Sequence, residues 1–111
     1  MYKYNNEDQK LVNKMMGMGF HISNNGSQYI LEAVKIINQH NSHPKTTWIY
    51  DSVAKASNST IARVERSIRH EIERYYSYCT DIPKALMCDA NTGKLTNKEF
   101  LARLTNILYA D

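Results

Sequence analysis

The chain has 111 residues, enough for one domain around one modest core, and its 42% hydrophobic and 23% charged residues are ordinary for a folded protein and unlike a disordered one. A net charge of +3 is too small to argue by itself for a polyanionic partner, and the two cysteines, Cys79 and Cys88, are too few for a disulfide framework or a four-cysteine zinc site. No apolar run approaches the roughly 18 residues a membrane helix needs, and "MYKYNNEDQK" lacks the apolar core of a signal peptide, so a cytoplasmic protein with reduced thiols is expected. What charge there is collects in the middle: from Lys35 to His70, the cations Lys35, Lys45, Lys55, Arg63, Arg66 and Arg69 face only Asp51 and Glu65.

Taken in chain order, each strongly periodic segment has the helical period and none alternates as a strand would, which predicts an all-α domain without a sheet. "NEDQKLVNKMMG" opens with acids and sets Leu11, Val12, Met15 and Met16 on one side, predicting a helix over about Glu7 to Met16 that stops at Gly17. After the glycine- and asparagine-rich loop "GMGFHISNNGS", Ile30, Ala33, Val34 and Ile37 give the stripe of a second helix starting near Ser27 and ended by "NQHNSHPK". A short third helix, about Thr47 to Ala56, is expected to use Thr46 or Thr47 as its cap and to bury Trp48, Ile49, Val53 and Ala54. The tight polar turn "ASNS" follows, in which Asn58 tolerates left-handed backbone and Ser59 or Thr60 is placed to cap the next helix.

That next helix, about Thr60 to Tyr78, repeats Ile61, Val64, Ile68, Ile72 and Tyr75 at spacings of three and four, an apolar edge for the core. At 100° per residue Arg63, Arg66 and His70 point away from this edge, with Glu65 and Arg69 on its flanks. Two helices joined by a few residues at about 47–78 make a helix-turn-helix. Ala54 and Val64, ten positions apart around Asn58, suit a close crossing and a buried anchor that let the second helix protrude. Its first turns then offer Arg63, Glu65, Arg66 and Arg69 to a groove, where an arginine fork can bond guanine O6 and N7 together and Glu65 can accept from cytosine N4. Lys45, Lys55, Ser57, Ser59 and Thr60 suit phosphates. The competing reading of the same residues is a solvated face in which Glu65, Glu71 and Glu73 are salt-bridged to the arginines.

Further along, "DIPKALM" reads as one helical turn and "DANTG" as a turn. "LTNKEF" has the form of a capping box from Thr96 to Glu99, with Leu95 and Phe100 stapled across it and Leu101, Leu104, Ile107 and Leu108 continuing the buried side of a last helix. Tyr75, Tyr76 and Tyr78 are expected to seal a core edge. His40, His43, Cys79 and Cys88 lack the spacing of a zinc site, so no metal and no cofactor are expected.

The stretch "IYDSVAKASNSTIARVERSIRHEIERYY", and "RVERSIRHEIE" most specifically, resembles the C-terminal effector domain of the stage-zero sporulation response regulator family, a transcription factor of endospore-forming bacteria. The resemblance extends to "GSQYILEAV" and "LTNKEFLARLTNIL". It implies a bundle of five to six helices with a helix-turn-helix of the winged-helix-like, response-regulator effector type. It further implies binding to double-stranded promoter DNA at a TGTCGAA-like box, with Glu65, Arg66 and Arg69 reading base edges. Arg63, His70, Lys45, Lys55, Ser57, Ser59 and Thr60 are then left to the DNA backbone, with a second copy on tandem sites as a further candidate partner. The family's phosphoacceptor receiver is not found in residues 1–111, which predicts one domain without phosphorylation in cis, nucleoid-associated and not an enzyme. The alternative function is a protein-binding module, an antagonist that acts on a regulator without binding DNA.

Overall fold

The computed structural model describes residues 6–40, 44–87 and 95–110. Five α-helices and one 3-10 turn follow one another, α1 (Asn6–Gly17), α2 (Asn25–Gln39), α3 (Thr46–Ala56), α4 (Ile61–Tyr78), the turn Lys84–Leu86, and α5 (Asn97–Leu108), with no strand among the described residues. The all-helical bundle read from periodicity is what forms. None of the described helices is long and apolar enough to cross a membrane.

α2 is the hub, packing against α3, α4 and α5, because Ile30, Leu31, Ala33 and Val34 are fully enclosed and cover more than one side of the helix. Val64, Ile68, Ile72 and Tyr75 of α4, and Phe100, Leu101, Leu104 and Leu108 of α5, close the same core. At one end Phe20 stacks on Tyr75 with ring centroids 4.2 Å apart, and Phe100 meets both rings edge-on. The Tyr75 hydroxyl donates to the Met18 carbonyl at 2.8 Å, and burial pushes its phenol well above the usual range. Tyr76 donates to the Leu86 carbonyl, whereas Tyr78 is 77% exposed and takes no part in sealing the core.

Helix ends follow local chemistry. α1 ends at Gly17 as expected, and the cap is completed two residues beyond: Gly19 has φ +105°, and the Phe20 N–H to Met15 carbonyl (3.0 Å) and Gly19 N–H to Met16 carbonyl (3.1 Å) bonds close it in left-handed backbone. α2 begins two residues before Ser27, capped by Asn24, whose side chain accepts from the Ser27 N–H at 2.7 Å. α3 has Lys45 at its cap position with no side-chain bond there, and both Thr46 and Thr47 lie inside the helix.

Three further expectations are corrected. Trp48 is 43% exposed, its ring edge-on to His40 at 4.7 Å, because the buried face of α3 runs through Ile49, Tyr50, Val53 and Ala54, and Trp48 shares the other face with its i+4 neighbour Ser52. Ile61 is 37% exposed, since the first turn of α4 projects beyond the body that covers Val64. Glu71, read as part of a wet face, is only 2% exposed. The residues 89–93 of "DANTG", together with His43 and Cys88, lie outside the described residues.

The capping box forms as expected: the Thr96 side chain accepts from the Glu99 N–H at 3.1 Å, and Glu99 accepts from the Thr96 N–H at 3.1 Å. The Thr96 amide and hydroxyl, both donating to Glu99, hold its carboxyl below its ordinary value of 4.5. A depressed folded value means that this stabilisation is present above the ordinary pKa and is lost as pH falls through the lowered one. Thr96→Ala is therefore expected to lower the melting temperature by a few degrees at neutral pH. The gap to the parent chain should narrow as the solution is acidified below the ordinary carboxylate range, which thermal unfolding against pH checks.

Candidate nucleic-acid interface

The turn between α3 and α4 takes the form its sequence suggested. Asn58 has φ 53°, and the Ser59 N–H bonds the Ala54 carbonyl at 2.8 Å, the long bond of a Schellman motif that ends α3 in one residue of left-handed backbone. Thr60 then caps α4, its hydroxyl accepting from the Arg63 N–H at 3.2 Å. With Ala54 3% exposed and Val64 wholly enclosed, the two helices are pinned where they cross. Everything on the outer side of α4 faces solvent.

That outer side brings the candidate residues together. Arg63, Arg66, Arg69 and His70 are exposed. Arg63, Arg66 and His70 have no side-chain partner among the described residues. Glu65 accepts from Arg69 Nη2 at 3.3 Å, the side chains 45% and 62% exposed. An exposed i,i+4 pair of this kind contributes only about 0.3–0.5 kcal/mol, so a base edge competes with it easily. Lys55 is in the same state, 3.0 Å from Asp51 and 77% exposed. Lys45 and Ser57 are exposed; Ser59 is half-buried and its amide is already used, and the Thr60 oxygen accepts within its own helix while its proton remains to be donated. Of the two sequence readings, the salt-bridged face is therefore restricted, among the described residues, to one weak exposed pair, Glu65 with Arg69, since the other pair on α4, Glu71 with Arg74, has its carboxylate buried.

Beside this edge lies a cleft of about 430 Å³ between the start of α2 and α4, with the exposed Arg66 and His70 at its mouth. Its floor holds an arrangement that helical periodicity missed. Glu71 accepts from Ser27 Oγ at 3.1 Å and from both Nε and Nη2 of Arg74, at 2.9 and 2.7 Å. The bond to Glu71 raises the Arg74 guanidinium above its usual value against the opposing effect of burial. Satisfying each carboxylate oxygen is what allows a charge in the interior. The available signal was Glu71 itself, which falls between Ile68 and Ile72 on the inward side of α4. Tyr50 and Asn97, hydrogen-bonded at 3.1 Å, were likewise not singled out.

An all-helical domain whose second helix of a helix-turn-helix shows a row of arginines to solvent, Arg63 and Arg66 without a side-chain partner among the described residues and Arg69 only weakly paired, is of the DNA-binding class. The sporulation initiation factor Spo0A C-terminal family model matches residues 11–108, and the chain belongs to that family. This family is the DNA-binding domain of a sporulation transcription regulator, and the chain is a DNA-binding regulatory domain of that kind.

Proposed function

We propose that this domain reads double-stranded promoter DNA in a sequence-specific way, laying the first turns of α4 in the major groove at a short TGTCGAA-like box. Glu65, Arg66 and Arg69 read base edges, while Lys45, Lys55, Ser57, Ser59, Thr60, Arg63 and His70 hold phosphates. One observation supports this most: the amino-terminal half of α4 is anchored on one edge by Val64 and Ile68, both fully enclosed, and leaves its guanidinium groups on the other edge without strong partners. In this reading the protein works in the bacterial cytoplasm at the nucleoid, with a second copy taking the neighbouring box where boxes occur in tandem.

Mobility-shift titration on a box-containing and a scrambled duplex tests it. Arg66→Ala and Arg69→Ala should each reduce the preference for the box by about 1–3 kcal/mol. Lys55→Ala should weaken both duplexes alike and flatten the dependence of log affinity on log salt by about one. Equal losses on both duplexes for the arginine variants would overturn the base-reading roles. No shift of the box duplex by the parent chain at low salt would instead favour a module that binds another regulator.

A further inference from the structure

Of the large apolar side chains that the described residues leave exposed, Met16, Trp48, Ile61, Tyr78 and Met87, only Ile61 stands on the first turns of α4. It is 37% exposed and belongs neither to the core nor to the partly buried residues packed against the core. Local structure does not account for it. Thr60 caps the helix through its own hydroxyl, and a hydrophobic staple would join position 59 to Val64, where Ser59 is polar. Ala62, next in the chain, is also exposed, so the first turn of α4 presents two apolar groups ahead of the charged ones.

The helix sets where Ile61 stands relative to those charges. Ile61, Glu65 and Arg69 follow one another at i, i+4 and i+8, which at 100° per residue keeps all three within an arc of about 80°. Ile61 therefore lies on the side of α4 that carries the Glu65–Arg69 pair, one turn nearer the amino terminus. In a helix-turn-helix the amino-terminal residues of the second helix are the ones that meet base edges. Among the edges in the major groove, thymine alone offers an apolar group, its C5 methyl. A branched aliphatic side chain suits that methyl because both lose water-exposed apolar surface on contact.

We propose that Ile61 reads thymine: its side chain packs on the C5 methyl of one thymine beside the bases contacted by Glu65 and Arg69, adding an apolar selection to their hydrogen bonds. The inference rests on the proposed placement of the first turns of α4 in the major groove, and it gives that edge a specificity residue that acts without charge.

Deoxyuracil pairs as thymine does and lacks only the methyl. The experiment is therefore a set of box duplexes in which each thymine in turn is replaced by deoxyuracil, titrated by mobility shift beside the unmodified box and a scrambled duplex. The parent chain should lose about fourfold in affinity at one replacement, as expected for one methyl group no longer buried. Ile61→Ala should keep the circular dichroism spectrum and the affinity for scrambled DNA, since the position is exposed and alanine is a good helix former. It should bind the unmodified box about fourfold more weakly and be indifferent to the replacement that the parent feels. A parent chain that no replacement weakens, a replacement that weakens the parent and Ile61→Ala alike, or an Ile61→Ala loss of equal size on box and scrambled duplexes would each overturn the thymine contact. Any of these results beside Arg66→Ala and Arg69→Ala variants that do lose box preference sinks the contact of Ile61 alone. A parent chain without preference for the box over scrambled DNA ends the major-groove reading, and the contact goes with it.

Discussion

Val64→Asp is expected to leave the chain unfolded at neutral pH. Val64 has no exposed surface and sits where α4 crosses α3, enclosed by the core on the inner side of the recognition edge. An aspartate there either stays ionised without a partner or takes up a proton, and with no polar group placed to receive it either form costs several kcal/mol. The lost valine packing adds to this, and the total approaches the whole stability of a domain this size, about 5–15 kcal/mol. The buried carboxyl would have a raised pKa in the folded state, so the penalty of its charge is full above that raised value and shrinks as pH falls from it toward the ordinary aspartate value. Far-ultraviolet circular dichroism at neutral and mildly acid pH checks both points. Arg63→Asp, one residue earlier and exposed, makes a larger change of charge; it should fold normally and lose only DNA binding.

The contrast between those neighbours shows what the sequence made legible. Spacings of three and four identified Val64, Ile68, Ile72 and Tyr75 as the inner edge of α4 because each contributes a large apolar surface to one body, and burial of such surface is what periodicity reports. Asn58 was legible for a different reason, since few residues accept φ near 53° and a polar turn was required there. The same logic misplaced Trp48 and Ile61. Both are apolar, but one is on the wrong side of its helix and the other stands on a turn beyond the body, and pattern alone does not tell where a body ends.

Polar interior contacts were the least visible. Glu71 looked like one more acid among arginines; Arg74 reaches it from three residues along α4, but only the packing of α2 against α4 brings Ser27 to it and closes it off from solvent. Tyr50 and Asn97 are 47 positions apart, a separation no local window spans. The reading residues fall between these cases. Helical geometry placed Arg63 and Arg66 outward, whereas Glu65 and Arg69 on the flanks were favoured through family resemblance. The structure puts all four along one exposed side, Glu65 the most covered and drawn toward Arg69.

Gly26→Val is expected to cost about 3 kcal/mol or more, through a mechanism that also reaches the DNA-reading edge. A Cβ on Gly26 would lie 2.7 Å from the Ser67 carbonyl oxygen and 2.7 Å from the Glu71 Cβ, closer than atoms of this size approach. The first obstacle is backbone, so no rotamer change relieves it, and α4 has to move away from α2. That movement lengthens the Ser27–Glu71 bond, now 3.1 Å, and opens the cleft that Arg66 and His70 line. Gly17→Val is the matching control, because a Cβ there meets nothing within 4 Å and its change should stay within about 0.5 kcal/mol. Thermal unfolding of the pair measures the first effect, and box preference measured well below the lowered melting temperature isolates the second. If α2 serves as the rail that sets the angle of α4, the surviving folded Gly26→Val protein loses selectivity for the box while retaining salt-sensitive binding to any duplex, since phosphate contacts tolerate a shift that base edges do not.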